Sequence, residues 1–110
     1  MNKKVYMKIN VSGNINLGQS FVTYVNDEFK KEESKYINSI SVVDVSIKKQ
    51  NEIISTNITI NDAFKKGVKI TAEAEERDIY KSFDEAFKKM MIQFLKEKDK
   101  NVTNKKKGTN

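Results

Sequence analysis

Between Asp78 and Lys100 the apolar residues recur every three or four positions, and no other stretch constrains the fold of this chain as tightly. At about 100° of rotation per residue, Ile79, Phe83, Ala86, Phe87, Met90 and Phe94 fall on one side of a helix. Lys89, Gln93, Lys96 and Lys100 line one flank of it at spacings of four, three and four. Such a helix must bury its apolar stripe against a sheet or a second helix. Its basic stripe is either a solvated face or the half of a contact whose other half is polyanionic. Asp78 stands where a capping side chain belongs.

The preceding residues supply the partner layer. Val5, Met7, Ile9 and Val11 alternate with Tyr6, Lys8 and Asn10, the period of a half-buried strand, and Ser12-Gly13-Asn14 supplies a turn. Leu17, Phe21, Tyr24, Val25 and Phe29 then repeat at three and four, predicting a helix from Gly18 to about Glu33 with a frayed exit over Ser34 to Asn38. A strand over Ile40 to Lys49 has conflicting parity, because Val43, Val45 and Ile47 share one face while Ile40 and Val42 share the other. We place the trio inward and expect a twist or bulge at the start of the strand. Lys49-Gln50-Asn51-Glu52 is a hairpin candidate, followed by a third strand on Ile54, Thr56, Ile58 and Ile60. A loop over Asn61 to Gly67, with Phe64 as an apolar oddity, leads to a fourth strand on Val68, Ile70, Ala72 and Ala74.

The order β-α-β-β-β-α predicts an α+β sandwich, a four-stranded sheet with two helices packed on one face. The last three strands form an antiparallel meander, the first strand joins its edge, and the sheet's other face stays wet. Residues 1–100 are read as one domain. Residues 101–110 are Lys-rich without periodicity and are expected to be a disordered tail.

Charge placement narrows the function classes. Residues 1–87 hold 12 Lys and 1 Arg against 13 acidic residues, whereas the last 23 hold 8 Lys against Glu97 and Asp99, so the whole excess of +6 lies at the end of the chain. That asymmetry points to nucleic acid or an anionic surface, with simple solubility as the plain alternative. With no Cys and no His, disulfides, thiolate metal sites and the commonest general base are excluded. Glu73 with Glu75 and Asp84 with Glu85 are paired carboxylates on paper, but no nucleophile, base and orienter can be assembled around them. No catalysis, metal or cofactor is expected. The N-terminus lacks the apolar run of a signal peptide, and a cytoplasmic protein is expected. Lysines outnumber arginines by 20 to 1, which suits neutralising a phosphate backbone and not bidentate reading of bases.

The run Ala72-Glu73-Ala74-Glu75-Glu76-Arg77-Asp78-Ile79-Tyr80, then Phe83-Asp84 and the ending Lys96-Glu97-Lys98-Asp99-Lys100, resembles the signature of the ribosome hibernation-promoting factor family. Ile9 to Asn14 and Phe21 to Phe29 resemble that family's first strand, turn and helix, so the likeness covers about residues 7 to 100. The resemblance implies a binding protein that occupies the messenger and transfer RNA channel of the small ribosomal subunit, contacts 16S ribosomal RNA and inhibits translation under stress or in stationary phase. It implies rRNA contacts at Lys89, Gln93 and Lys96, with Lys98 and Lys100 in the matching Lys-rich end, and it matches Asp78 and Tyr80 to an acidic and aromatic pair. From the residues alone Asp78 reads as a helix cap and Tyr80 as a side chain at the edge of the core. Two departures stand out: Ile92 where relatives often carry Arg, and Glu76 where Gly is usual. The loop around Phe64 to Gly67 is also longer, and the chain resembles the short form, which lacks a second, ribosome-pairing domain. A monomer that binds neither DNA nor membrane is expected. The alternatives are a generic double-stranded RNA binding module and a protein interaction adaptor whose lysines are merely solvated.

Overall fold

The computed structural model describes residues 8–31, 42–63 and 68–109; for 62, 63, 68 and 98–109 it describes the backbone alone. Among the described residues six elements follow in the expected order: β1 (Lys8–Gly13), α1 (Gly18–Lys31), β2 (Val42–Gln50), β3 (Ile53–Ala63), β4 (Val68–Glu76) and α2 (Ile79–Thr109). The strands form one sheet in the order β1-β2-β3-β4. β1 runs parallel to β2, with α1 as the crossover, and β2, β3 and β4 are antiparallel neighbours.

Local chemistry sets the joints. Gln50 pairs with Ile53, leaving Asn51 and Glu52 as a two-residue turn. Asn51 takes a left-handed backbone with φ of 61°, which asparagine tolerates better than most side chains. At the end of β1, a Cβ on Gly13 would sit 2.8 Å from the Ile47 carbonyl oxygen, so only glycine lets the strands approach there. Asn14 continues the pairing with its side chain, its amide oxygen accepting from the Lys49 N–H at 2.9 Å and its amide nitrogen donating to the Lys49 carbonyl at 3.2 Å.

The inward face of the sheet carries Val43, Val45 and Ile47 from β2, Ile54, Ile58 and Ile60 from β3, and Ile70, Ala72 and Ala74 from β4, all buried. The parity conflict in β2 is thus resolved in favour of the trio. Ile40 and the helix exit at 34–38 lie outside the described residues, as do Met1 to Met7 and the Phe64 to Gly67 loop. No bulge marks the described start of β2, which pairs with β3 without interruption from Val42. A register shift falls between Ile60 and Ala63, where β3 meets β4.

Both helices cover this face. Phe21, Val25 and Phe29 of α1 join Phe83, Ala86, Met90 and Phe94 of α2 in a single core, with Ile79 and Phe87 half-buried against it. The two helices meet through rings: Phe29 lies edge-on to Phe87 at 5.0 Å and tilted to Phe83 at 6.4 Å. Burying a phenylalanine contributes roughly 1.5 to 3 kcal/mol, and this cluster commits α1 and α2 to one layer. α2 packs over β3 and β4, where the small side chains of Ala72 and Ala74 leave room for its phenylalanines. One polar pair is buried within this packing. The Thr56 and Ser82 hydroxyls lie 2.8 Å apart, and the Ser82 hydroxyl lies 3.0 Å from the Ile54 carbonyl and 3.2 Å from that of Ala74. That bond ties the first turn of α2 to β3 and β4, and it satisfies groups that would be costly to bury alone.

The backbone of α2 continues as helix to Thr109, past Phe94 where the apolar stripe ends. Propagating a formed helix costs far less than starting one, and the chain has no Pro anywhere to stop it.

Candidate nucleic-acid interface

The candidate surface is built on α2, so its geometry begins at the cap. The Asp78 carboxylate accepts from the N–H groups of Tyr80 at 2.7 Å and Lys81 at 3.1 Å, and the Ser82 N–H donates to the Asp78 carbonyl at 2.9 Å. Two of the orphan donors of the first turn are satisfied, and Asp78 is spent as a cap. Tyr80 packs edge-on to Phe21 at 5.4 Å and to Tyr24 at 5.0 Å, at the rim of the core and 38% exposed. The neighbouring Tyr24 hydroxyl donates to Asp84 at 2.6 Å, which locks α1 to α2. That bond, with partial burial and the Asp84 charge, pushes the Tyr24 phenol well above the usual tyrosine range.

The basic flank divides into two lines. Lys89 donates to the Glu73 carbonyl at 3.1 Å and Gln93 donates to the Thr71 carbonyl at 2.8 Å. β4 is an edge strand, so these carbonyls face away from β3. Four residues advance about 6 Å along a helix and two residues about 6.7 Å along a strand. Because α2 runs antiparallel beside β4, Lys89 and Gln93 meet alternate carbonyls in register. Glu85 and Glu97, four residues before and after the pair, carry no donor, and this bonding does not extend to them. Two of the five residues that the resemblance assigned to RNA contact, Lys89 and Gln93, therefore close the open edge of the sheet. Lys89 is exposed and an ammonium has three donors, so it keeps hydrogens to offer elsewhere.

Further round the helix, the expected Lys96 lines up with Lys88, which the sequence spacing had not singled out. Lys88 and Lys96 are exposed, one turn before and one turn after Ile92. Neither has a hydrogen bond or ion pair among the described residues. The same spacing of four that marked Lys89 and Gln93 was available to identify Lys88. Lys98 and Lys100 lie on the backbone of α2, beyond the described side chains. The open face of the sheet is different in character. It carries Lys8, Lys48 and Lys69 against Asp44, Glu73 and Glu75, among Ser, Thr and Asn side chains, and so offers a polyanion no net attraction. Among the described residues no group of His, Cys, Asp or Glu is placed to hold a metal, and no helix is long and apolar enough to cross a membrane.

With that geometry in view, the comparisons with known proteins are specific. The family model described as Sigma 54 modulation protein / S30EA ribosomal protein matches residues 9–102. No curated protein sequence matches the chain. Among solved structures, a ribosomal subunit interface protein from Coxiella burnetii is similar, with a TM-score of 0.68 at 20% identity, covering 84% of this chain and 99% of that one. The N-terminal domain of Protein Y from Thermus thermophilus is similar at the same TM-score and identity, covering 80% of this chain and 96% of that one. At such identity the two structures speak for the fold alone.

Proposed function

The chain belongs to the Sigma 54 modulation protein / S30EA ribosomal protein family, and from that premise we propose that it is a ribosome hibernation factor. It binds the small ribosomal subunit in the channel used by messenger and transfer RNA, contacts the 16S rRNA backbone and inhibits translation under stress or in stationary phase. Its work is binding and not catalysis, it acts in the cytoplasm, and it is a monomer until it meets the ribosome. The observation that carries this reading is the outward line of Lys88 and Lys96 on α2, two exposed amines with no acidic partner among the described residues. Lys98 and Lys100 follow on the same helix and Lys89 stands beside it with hydrogens to spare, which supports a surface that neutralises several phosphates at once. A lysine ammonium is a point charge that accepts any approach of a phosphate, so the recognition is of RNA backbone and shape and not of sequence.

Sucrose-gradient sedimentation of purified subunits with added protein tests this directly. The protein should travel with 30S particles, be displaced by messenger and transfer RNA, and lower the yield of a cell-free translation reaction. Free duplex RNA in equal amount should not compete it away. Competition by any duplex would leave a general double-stranded RNA binding module, and sedimentation with neither subunit would leave a protein interaction adaptor whose lysines are merely solvated.

A further inference from the structure

The core of α2 is complete without two of its large apolar side chains. Phe83, Ala86, Met90 and Phe94 are fully buried, yet Ile92 is 52% exposed and Leu95 45%. Three residues apart, Ile92 and Leu95 are neighbours on one side of the helix. Lys88 and Lys96 stand one turn to either side of Ile92 and about 12 Å from each other along the axis. The arrangement is cation, apolar pair, cation on one exposed ridge.

We propose that this ridge is a seat for unpaired RNA, in which Ile92 and Leu95 pack against an unstacked nucleobase while Lys88 and Lys96 hold the phosphates on either side of it. The inference rests on the RNA-binding reading and deepens it, because it names the form of RNA that the surface takes. Phosphates alone give an exposed Ile and Leu nothing to bury against. In a duplex the base faces are stacked away, whereas an extruded base presents its apolar face to aromatic or aliphatic side chains. Charge decides against a protein with an acidic rim. Net +6 accumulates over residues 88–110, beginning at Lys88 itself, and that excess matches a continuous polyanion better than a few carboxylates.

The test uses the full chain, isolated 30S subunits and two ribo-oligomers of equal length, one an unstructured oligouridylate and the other abasic throughout. Wild type should bind the base-bearing strand about five- to tenfold tighter than the abasic one, the low end of what stacking a base on an aromatic ring contributes, since the seat here is aliphatic. The double variant Ile92→Ser, Leu95→Ser changes only exposed positions. It should keep its fold and its salt dependence but bind the two strands equally. Lys88→Gln with Lys96→Gln should do the reverse, flattening the salt dependence while keeping the preference for bases. Equal wild-type affinity for the two strands would overturn the proposal while leaving 30S binding, and with it the proposed function, intact. So would a serine variant that loses affinity for 30S subunits but not for the oligomer, since the pair would then touch a ribosomal protein. Absence of binding to strands and subunits alike would overturn both readings.

Discussion

Gln93 shows how far one side chain can be read from its neighbours in sequence. Its place on the polar flank of α2 is plain from periodicity, but its partner, the Thr71 carbonyl at 2.8 Å, depends on how the helix slides along β4, which no local pattern encodes. The cap at Asp78 lies at the other extreme, since both donors it accepts lie within three residues of it. Ser82 was invisible for the same reason as Gln93: its partners, Thr56, Ile54 and Ala74, are all on strands. Gln93→Ala should cost about 0.5 to 1 kcal/mol, the net worth of one hydrogen bond near the surface. It should leave the salt dependence of RNA binding unchanged, and melting curves beside salt titrations check both halves. Tyr24 offers a second test at this scale. Because its folded pKa is raised, mainly by the bond to Asp84, its contribution to stability is fully present below the ordinary tyrosine pKa of about 10. It is lost only as pH climbs through the higher folded value. An ultraviolet absorbance titration should therefore show a late phase of tyrosine ionisation, and Tyr24→Phe should abolish it.

At the scale of elements, the spacing of apolar residues sufficed for the strands and helices that face the core, because burial on one side imposes a period. It sufficed also for the parity of β2, where the trio Val43, Val45 and Ile47 prevailed. The apolar stripe of α2 ends at Phe94, while its backbone runs on as helix to Thr109. Spacing alone did not settle the division of labour on that helix. Periodicity places Lys88 and Lys89 side by side, and only the position of the β4 edge decides which of them is tied to a carbonyl. The same element carries the clearest stability prediction. Phe83 is fully buried and touches Phe21, Phe29 and Phe87, so Phe83→Ala should cost roughly 3 to 5 kcal/mol through the cavity it leaves. Chemical denaturation checks this, and a variant of near-native stability would show that α2 is not seated as described.

The whole molecule separates its tasks by face. One face of the sheet is buried under two helices, the other is polar and balanced in charge, one edge is closed by Lys89 and Gln93, and the cationic excess is gathered at the end of the chain. The family likeness was legible in the sequence because it resides in short runs around the start of α2, and the family model's match over residues 9–102 agrees with it. Which lysines face outward was legible only once the helix had been laid against the sheet. The affinity of 30S subunits for wild type and for Lys88→Ala with Lys96→Ala, measured across a series of salt concentrations, tests the central claim most directly. Two lost phosphate contacts should lower the slope of log affinity against log salt by about 1.4 to 1.8 with no change in melting temperature. An unaltered slope and affinity would show that the outward amines of α2 do not meet ribosomal phosphate.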